Sequence, residues 1–175
     1  MLKKLSAVTL TTLLLLIPVP VAAAKVEPAG GAVIYGQPDE ASMASRVTAM
    51  ASHLDGNGYW VATANGMVLN FGSAGHFGDM DSVTLNQPVV GMAPTKTGNG
   101  YWLVASDGGI FSFGDAAFYG SAGAVVLNSP IVGMAATNAG RGYWLVAADG
   151  GVFSYGDAVF HGSTGDLVLN RPIVS

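Results

Sequence analysis

The 175-residue chain is half apolar, only a tenth charged, and carries a net charge of −4. Seven Lys and Arg stand against eleven Asp and Glu, so the chain lacks the basic stripe that releases counterions from a phosphate backbone, and this argues against nucleic-acid partners. It has no cysteine, which leaves burial and strand pairing, not disulfides, to stabilise it.

Lys3 and Lys4 precede an apolar run from Leu5 to Val21 that ends in Ala22-Ala23-Ala24, the pattern of a cleavable signal peptide. Cleavage is expected after Ala24, so residues 1–24 would be lost and a secreted, extracellular or cell-wall-associated chain would begin at Lys25. The apolar run contains Pro18 and Pro20 and falls short of the roughly 20 apolar residues of a spanning helix. No transmembrane segment is therefore expected after cleavage. The remainder is long enough for one domain with its own core.

Residues 25–45 read as an N-terminal linker. Within it, Gly30 to Gly36 follows the pattern of Gly108 to Gly114, including an aromatic before the last glycine. Two readings stand: a degenerate half-repeat, or a chance match in a glycine-rich protein. The run from Asp39 to Leu54 also has helix-like spacing at Met43, Val47, Met50 and Leu54.

From residue 46 the chain is a tandem repeat. Gly58-Tyr59-Trp60 returns as Gly100-Tyr101-Trp102 and Gly142-Tyr143-Trp144, at a period of 42 residues. The units are 46–87, 88–129 and 130–171, with a fourth beginning at 172–175. The second and third align without a gap; the first has drifted, with Asn65, Met67 and Ser73 where the others carry Asp, Gly and Asp. Such a unit cannot bury its apolar face alone and needs stacked neighbours.

Within a unit, Tyr101–Ser106 and Ile110–Phe113 are rich in β-branched and aromatic residues and flank Asp107-Gly108, which predicts a hairpin with a tight primed turn. Asn65-Gly66 and Asp149-Gly150 take the same place. Two further strands are expected, at Ile131–Ala135 and at Ala116–Gly120, the latter extended by Val125–Leu127. The fold class is thus all-β, with four strands in each 42-residue unit, as in β-propeller blades. Because propellers close with about 4–8 blades, three units imply an open or incomplete ring. Exposed strand edges would then favour self-association. A β-solenoid, which needs no closure, is the alternative.

The run from Gly100 to Ser121 resembles the Gly-Tyr-Trp-Leu-Val-Ala-x-Asp-Gly-Gly repeats of many secreted bacterial proteins, where they occur alone or attached to hydrolase, protease or peptidoglycan-processing domains. The resemblance covers Arg46 to Ser175. It implies propeller-like accessory modules, with any catalysis residing in attached domains.

No catalytic constellation stands out. Gly120-Ser121-Ala122-Gly123 and Gly162-Ser163-Thr164-Gly165 lack the spacing of a nucleophile elbow. His76 and His161 replace aromatics of the other copies, and with His53 they read as packing rings. His76, Asp79 and Asp81 could be assembled into a metal site, but that loop occurs once, and no metal or cofactor is expected. Asp107, Asp115, Asp149 and Asp157 recur in the second and third units, which fits turns better than a glycosidase pair needed once. The candidate ligand-binding residues are the aromatic pairs Tyr59 and Trp60, Tyr101 and Trp102, Tyr143 and Trp144, since ring faces stack on sugars and anchor interfaces. The expected function is a non-enzymatic module that binds cell-wall or extracellular polysaccharide, or a protein partner. The competing expectations are a degenerate esterase or glycosidase on a propeller scaffold, and a truncated repeat fragment without independent function.

Overall fold

The computed structural model describes residues 33–39 and 43–174; the expected signal peptide lies outside them. The chain is all-β, with no helix among the described residues. Its strands are β1 Val47–Ser52, β2 Gly58–Thr63 and β3 Val68–Gly72 in the first unit, β4 Val89–Pro94, β5 Gly100–Ala105 and β6 Ile110–Gly114 in the second, and β7 Ile131–Ala136, β8 Gly142–Ala147 and β9 Val152–Gly156 in the third. Each unit forms its own open antiparallel sheet, in the orders β1-β2-β3, β4-β5-β6 and β7-β8-β9, and none closes into a barrel.

The middle strand dictates how these sheets stack. Side chains alternate along a strand, so Tyr101 and Leu103 of β5 point to one face and Trp102 and Val104 to the other. Tyr101 and Leu103 pack with Trp60, Ala62 and Val68 of the first unit, while Trp102 and Val104 pack with Tyr143 and Leu145 of the third. Both faces of the second sheet are therefore covered, and β5 is buried along its whole length. Burial of each large apolar side chain contributes roughly 1.5–3 kcal/mol. A strand buried on both faces loses the apolar-polar alternation of a half-exposed one, which is why Tyr-Trp-Leu-Val-Ala is continuous.

The first strands lie beside one another, β1 against β4 and β4 against β7. In each, one residue is bulged out of the ladder: Thr48, Val90 and Val132 have no cross-strand partner between the flanking pairs. Close approach sets the residue that follows. A side chain at Gly91 would lie 2.9 Å from Val104 Cγ1 and 3.4 Å from the amide of Met134. Backbone bonds then carry the chain from unit to unit, Val89 N–H donating to Ala64 O at 2.9 Å, Ile131 to Ser106 O at 2.8 Å and Ile173 to Ala148 O at 2.8 Å.

Four expectations need correction. Each described unit has three strands, not four, because Ala116–Gly120 and Val125–Leu127 run as a loop. The backbone groups of this loop have other partners: Ala117 O accepts the Trp102 indole N–H at 2.8 Å, Gly120 O accepts the Tyr143 hydroxyl at 2.6 Å, and Ala122 N–H donates to Gly108 O at 3.0 Å. The hairpin turn is not primed, since only Gly108 has positive φ (82°) and no non-glycine residue does. With Gly108 N–H bonded to Ala105 O and Ala105 N–H to Gly109 O, it is a type I turn closed by a glycine bulge. The spacing from Met43 to Leu54 belongs to no helix; Val47 to Ser52 is strand.

The upstream trace is also in a different register. Of Gly30–Gly36 only 33–36 are described, and Tyr35-Gly36 sits where Phe77-Gly78 and Tyr119-Gly120 sit one and two periods later. The Tyr59 hydroxyl donates to Gly36 O as Tyr101 does to Gly78 O at 2.6 Å and Tyr143 to Gly120 O at 2.6 Å. Tyr35-Gly36 thus take on the first sheet the place that Phe77-Gly78 and Tyr119-Gly120 take on the second and third.

Tyr101→Phe keeps the ring but leaves the Gly78 carbonyl and the Phe77 amide, which donates to the hydroxyl at 3.3 Å, without their partner. Denaturant unfolding followed by tryptophan fluorescence is expected to show a loss of about 1–2 kcal/mol.

Candidate functional site

The six rings singled out in the sequence turn inward. Trp60, Tyr101, Trp102 and Tyr143 are at most 1% exposed, and Tyr59 and Trp144 are half-buried. Trp60 meets Tyr101 at a centroid distance of 5.7 Å and Trp102 meets Tyr143 at 5.7 Å, both tilted. Each indole N–H also fastens the loop of its own unit, Trp60 to Gly75 O at 2.7 Å and Trp144 to Val159 O at 2.8 Å. At Trp60, Tyr101, Trp102 and Tyr143 the ring faces a sugar would stack on are occupied by protein. Loss of solvation on burial raises the hydroxyl pKa of Tyr101, Tyr143 and Tyr155, so the first two remain neutral donors to their glycine carbonyls.

A second set of side chains ties the turn after the first strand to the turn after the third. In the second unit Asp115 accepts from Thr95 at 2.8 Å and from Thr97; in the third, Asp157 accepts from Thr137 at 2.7 Å and lies 3.5 Å from Arg141 Nε. In the first unit the carboxylate has changed sides. Ser73 replaces the loop acid and donates to Asp55 at 2.9 Å, while His53 Nδ1 lies 2.8 Å from the same Asp55 oxygen and 3.3 Å from Ser73 Oγ. The sequence offered no sign of this cluster, whose residue types differ from those at the equivalent positions of the other units.

Ser73, His53 and Asp55 are residue types of a hydrolytic triad, but their geometry is not that of a relay. A relay uses both ring nitrogens, one for the nucleophile and one for the acid. Here Ser73 and Asp55 address the same nitrogen, and Nε2 faces Gly98 of the next unit, where a Cβ would lie 2.6 Å from it. The His53 bond first, then the Asn57 amide, hold the Asp55 carboxyl down to about 2.

Four further acids singled out in the sequence, Asp79, Asp81, Asp107 and Asp149, are also engaged in local structure. Asp107 and Asp149 accept the amides of Gly109 and Gly151 at 2.9 Å. Asp79 accepts from the Asp81 amide at 3.1 Å, Asn65 donates to Asp81 at 2.8 Å, and His76 Nε2 is 3.9 Å from Asp79. No group of three metal-ligating side chains occurs among the described residues.

Two of the open surfaces among the described residues recur in or cross successive units. At the hairpin-turn end, a cleft of about 310 Å³ is lined by Gln87, Ser106, Asp107, Leu127, Asn128 and Pro130 among others. The cleft one period earlier, of about 460 Å³, is lined by the equivalent Ser45, Ala64, Asn65, Leu85, Asn86 and Pro88. Along the first strands runs a groove of about 480 Å³ that crosses all three units, with Met50, Met92 and Met134 at equivalent positions and Thr95, Lys96 and Asn138 at its rim.

Models of known protein families give no match to this chain, and no curated protein is similar to it.

The titrating groups set opposite limits on stability. Asp55 has a lowered folded pKa, so its contribution is complete above the unfolded carboxylate value of about 4 and is lost as pH falls through about 2. Urea unfolding across that range is expected to steepen with acid in the natural chain and less so in Asp55→Asn. The raised tyrosines act in the other direction: their contribution is complete below about pH 10 and is lost as pH rises through their folded values. Ultraviolet titration should then show phenolate forming together with unfolding.

Proposed function

We propose that this protein is a secreted, non-enzymatic binding module built as an open propeller-like array, whose repeated clefts hold a polar polymer of the cell envelope or its surroundings. The observation that carries the reading is recurrence. The same cleft, with amide, hydroxyl and one carboxylate or amide side chain beside an apolar Leu and Pro, occurs at equivalent positions of two successive units. A ligand with its own repeat can engage several such sites at once, turning modest affinity at each into avidity. Neutral hydrogen-bonding side chains suit the hydroxyl-rich surface of a polysaccharide.

The propeller-like arrangement is supported by the neighbouring first strands and by the absence of ladder bonds between sheets. A β-solenoid would pair strands of successive units into continuous sheets, whereas each sheet here contains strands of one unit only. The signal peptide pattern of residues 1–24 supports export.

A protein partner is the second reading, favoured by the groove with its three methionines. Methionine adapts its unbranched side chain to varied apolar surfaces, and such a groove fits an extended apolar peptide. An esterase reading has only the Ser73, His53 and Asp55 cluster behind it, and the shared ring nitrogen opposes it.

Co-sedimentation with purified cell wall and extracellular polysaccharide tests the main reading. Because Asn86 and Asn128 are exposed, their replacement should leave the fold intact. Asn86→Ala with Asn128→Ala is expected to reduce retention on polymer by about tenfold or more, with little change toward a short oligosaccharide that spans one cleft. Equal retention of the variant and the natural chain would transfer the case to the groove. The natural chain and Ser73→Ala are both expected to leave an ester substrate at its buffer hydrolysis rate, and the substitution to lower stability by about 0.5–1.5 kcal/mol.

A further inference from the structure

The two clefts at the hairpin-turn end differ in part of their lining, and the members they share indicate what they take. Where the later cleft has Ser106 and Asp107 the earlier has Ala64 and Asn65, so neither a hydroxyl nor a charge recurs at those positions. What recurs is Val83, Leu85, Asn86 and Pro88 against Val125, Leu127, Asn128 and Pro130, three apolar side chains and one carboxamide. Gln87 lines both clefts, so the two adjoin.

Each cleft sits at a junction between two units, and main-chain bonds hold its proline in place. Val89 N–H donates to Ala64 O and Ser106 N–H to Pro88 O, both at 2.9 Å; Ile131 and Ala148 repeat the pattern with Ser106 O at 2.8 Å and Pro130 O at 2.9 Å. Leu85 and Leu127 are half-buried, each packed against the core of its junction while also lining the cleft. Asn86 and Asn128 are exposed, and neither carboxamide is engaged by another of the described residues.

A carboxamide both donates and accepts hydrogen bonds, whereas Leu and Pro offer only apolar surface. A sugar hydroxyl would satisfy the first and leave the second wet; a hydrocarbon would do the reverse. An acetamido substituent meets both, with a methyl group to cover the leucine and proline and an amide N–H and C=O to pair with the asparagine. Anionic substituents fit worse. Neither cleft is lined by Lys or Arg, so a carboxylate or phosphate on the polymer would lose water without gaining a partner, and in the later cleft it would share the site with Asp107.

We propose that the clefts bind a polysaccharide carrying acetamido groups, one group to a cleft, with the methyl on Leu85 and Pro88 or on Leu127 and Pro130 and the amide on Asn86 or Asn128. The proposal rests on the polysaccharide reading above and narrows it to N-acetylated sugars. Because the clefts adjoin, acetamido groups on one polymer chain engage both, and the selectivity of each cleft multiplies that of the other.

The test is co-sedimentation of the natural chain with chitin and with cellulose, insoluble polymers of the same linkage that differ in carrying an acetamido group or a hydroxyl at one ring carbon. Retention on chitin is expected to exceed that on cellulose by about tenfold or more, and soluble N-acetylglucosamine oligomers, but not glucose oligomers, should release the bound protein. Asn86→Asp with Asn128→Asp keeps the side-chain size and removes the amide donor, so this variant should lose the preference. Equal retention of the natural chain on both polymers, or retention on cell wall but not on chitin, overturns the acetamido assignment and leaves the polysaccharide reading standing. Retention on no polysaccharide overturns both. A double variant shown to be folded by near-ultraviolet circular dichroism that keeps the full preference for chitin also overturns the assignment, and if that variant does not fold, the comparison of the two polymers with the natural chain decides.

Discussion

The structure depends on one constraint: a three-stranded sheet with apolar side chains on both faces must be covered on both. The middle strand sets this up, because Tyr101 and Leu103 face the preceding unit and Trp102 and Val104 the following one. The tyrosine adds direction to an otherwise non-directional contact. Its ring is buried as apolar surface, while its hydroxyl reaches the one backbone carbonyl, that of Gly78, which fixes the register of the neighbouring loop. A shift of one residue along the strand would reverse every side chain and detach this bond from its acceptor.

The loop that follows each third strand is ordered by the same logic. It forms no ladder, yet it is held at three points by the indole N–H of its own unit, the hairpin-turn carbonyl of Gly108 and the hydroxyl of the next unit's tyrosine. Side-chain donors thus take the place of a fourth strand.

The repeat period, the all-β class and the three strands of each unit were legible because they rest on local signals: glycine-bounded runs of β-branched and aromatic residues at fixed spacing. The fourth strand was misjudged because Ala116–Gly120 has strand-like composition, while its hydrogen-bond partners lie on residues distant in sequence. The upstream trace at Tyr35-Gly36 was matched to the wrong pair of glycines, as several glycines in each unit follow an aromatic and only the bond to Tyr59 distinguishes them. Alternation along a strand puts the two rings of each aromatic pair on opposite faces, but sequence alone does not reveal that both faces of the second sheet are covered. The cluster of His53, Asp55 and Ser73 was missed because it preserves a contact and not a residue: the carboxylate moved from the third-strand turn to the first-strand turn, and the hydroxyl moved the other way.

The bonds between Val89 and Ala64 and between Ile131 and Ser106 join units through main-chain atoms alone, while the side chains on either side of each junction are of matching kinds. A block of 42 residues therefore brings with it half of the junction before it and half of the junction after it. Such a block can be copied or deleted whole without requiring any new surface to evolve, so the length of the array is free to vary among descendants while its cross-section is not.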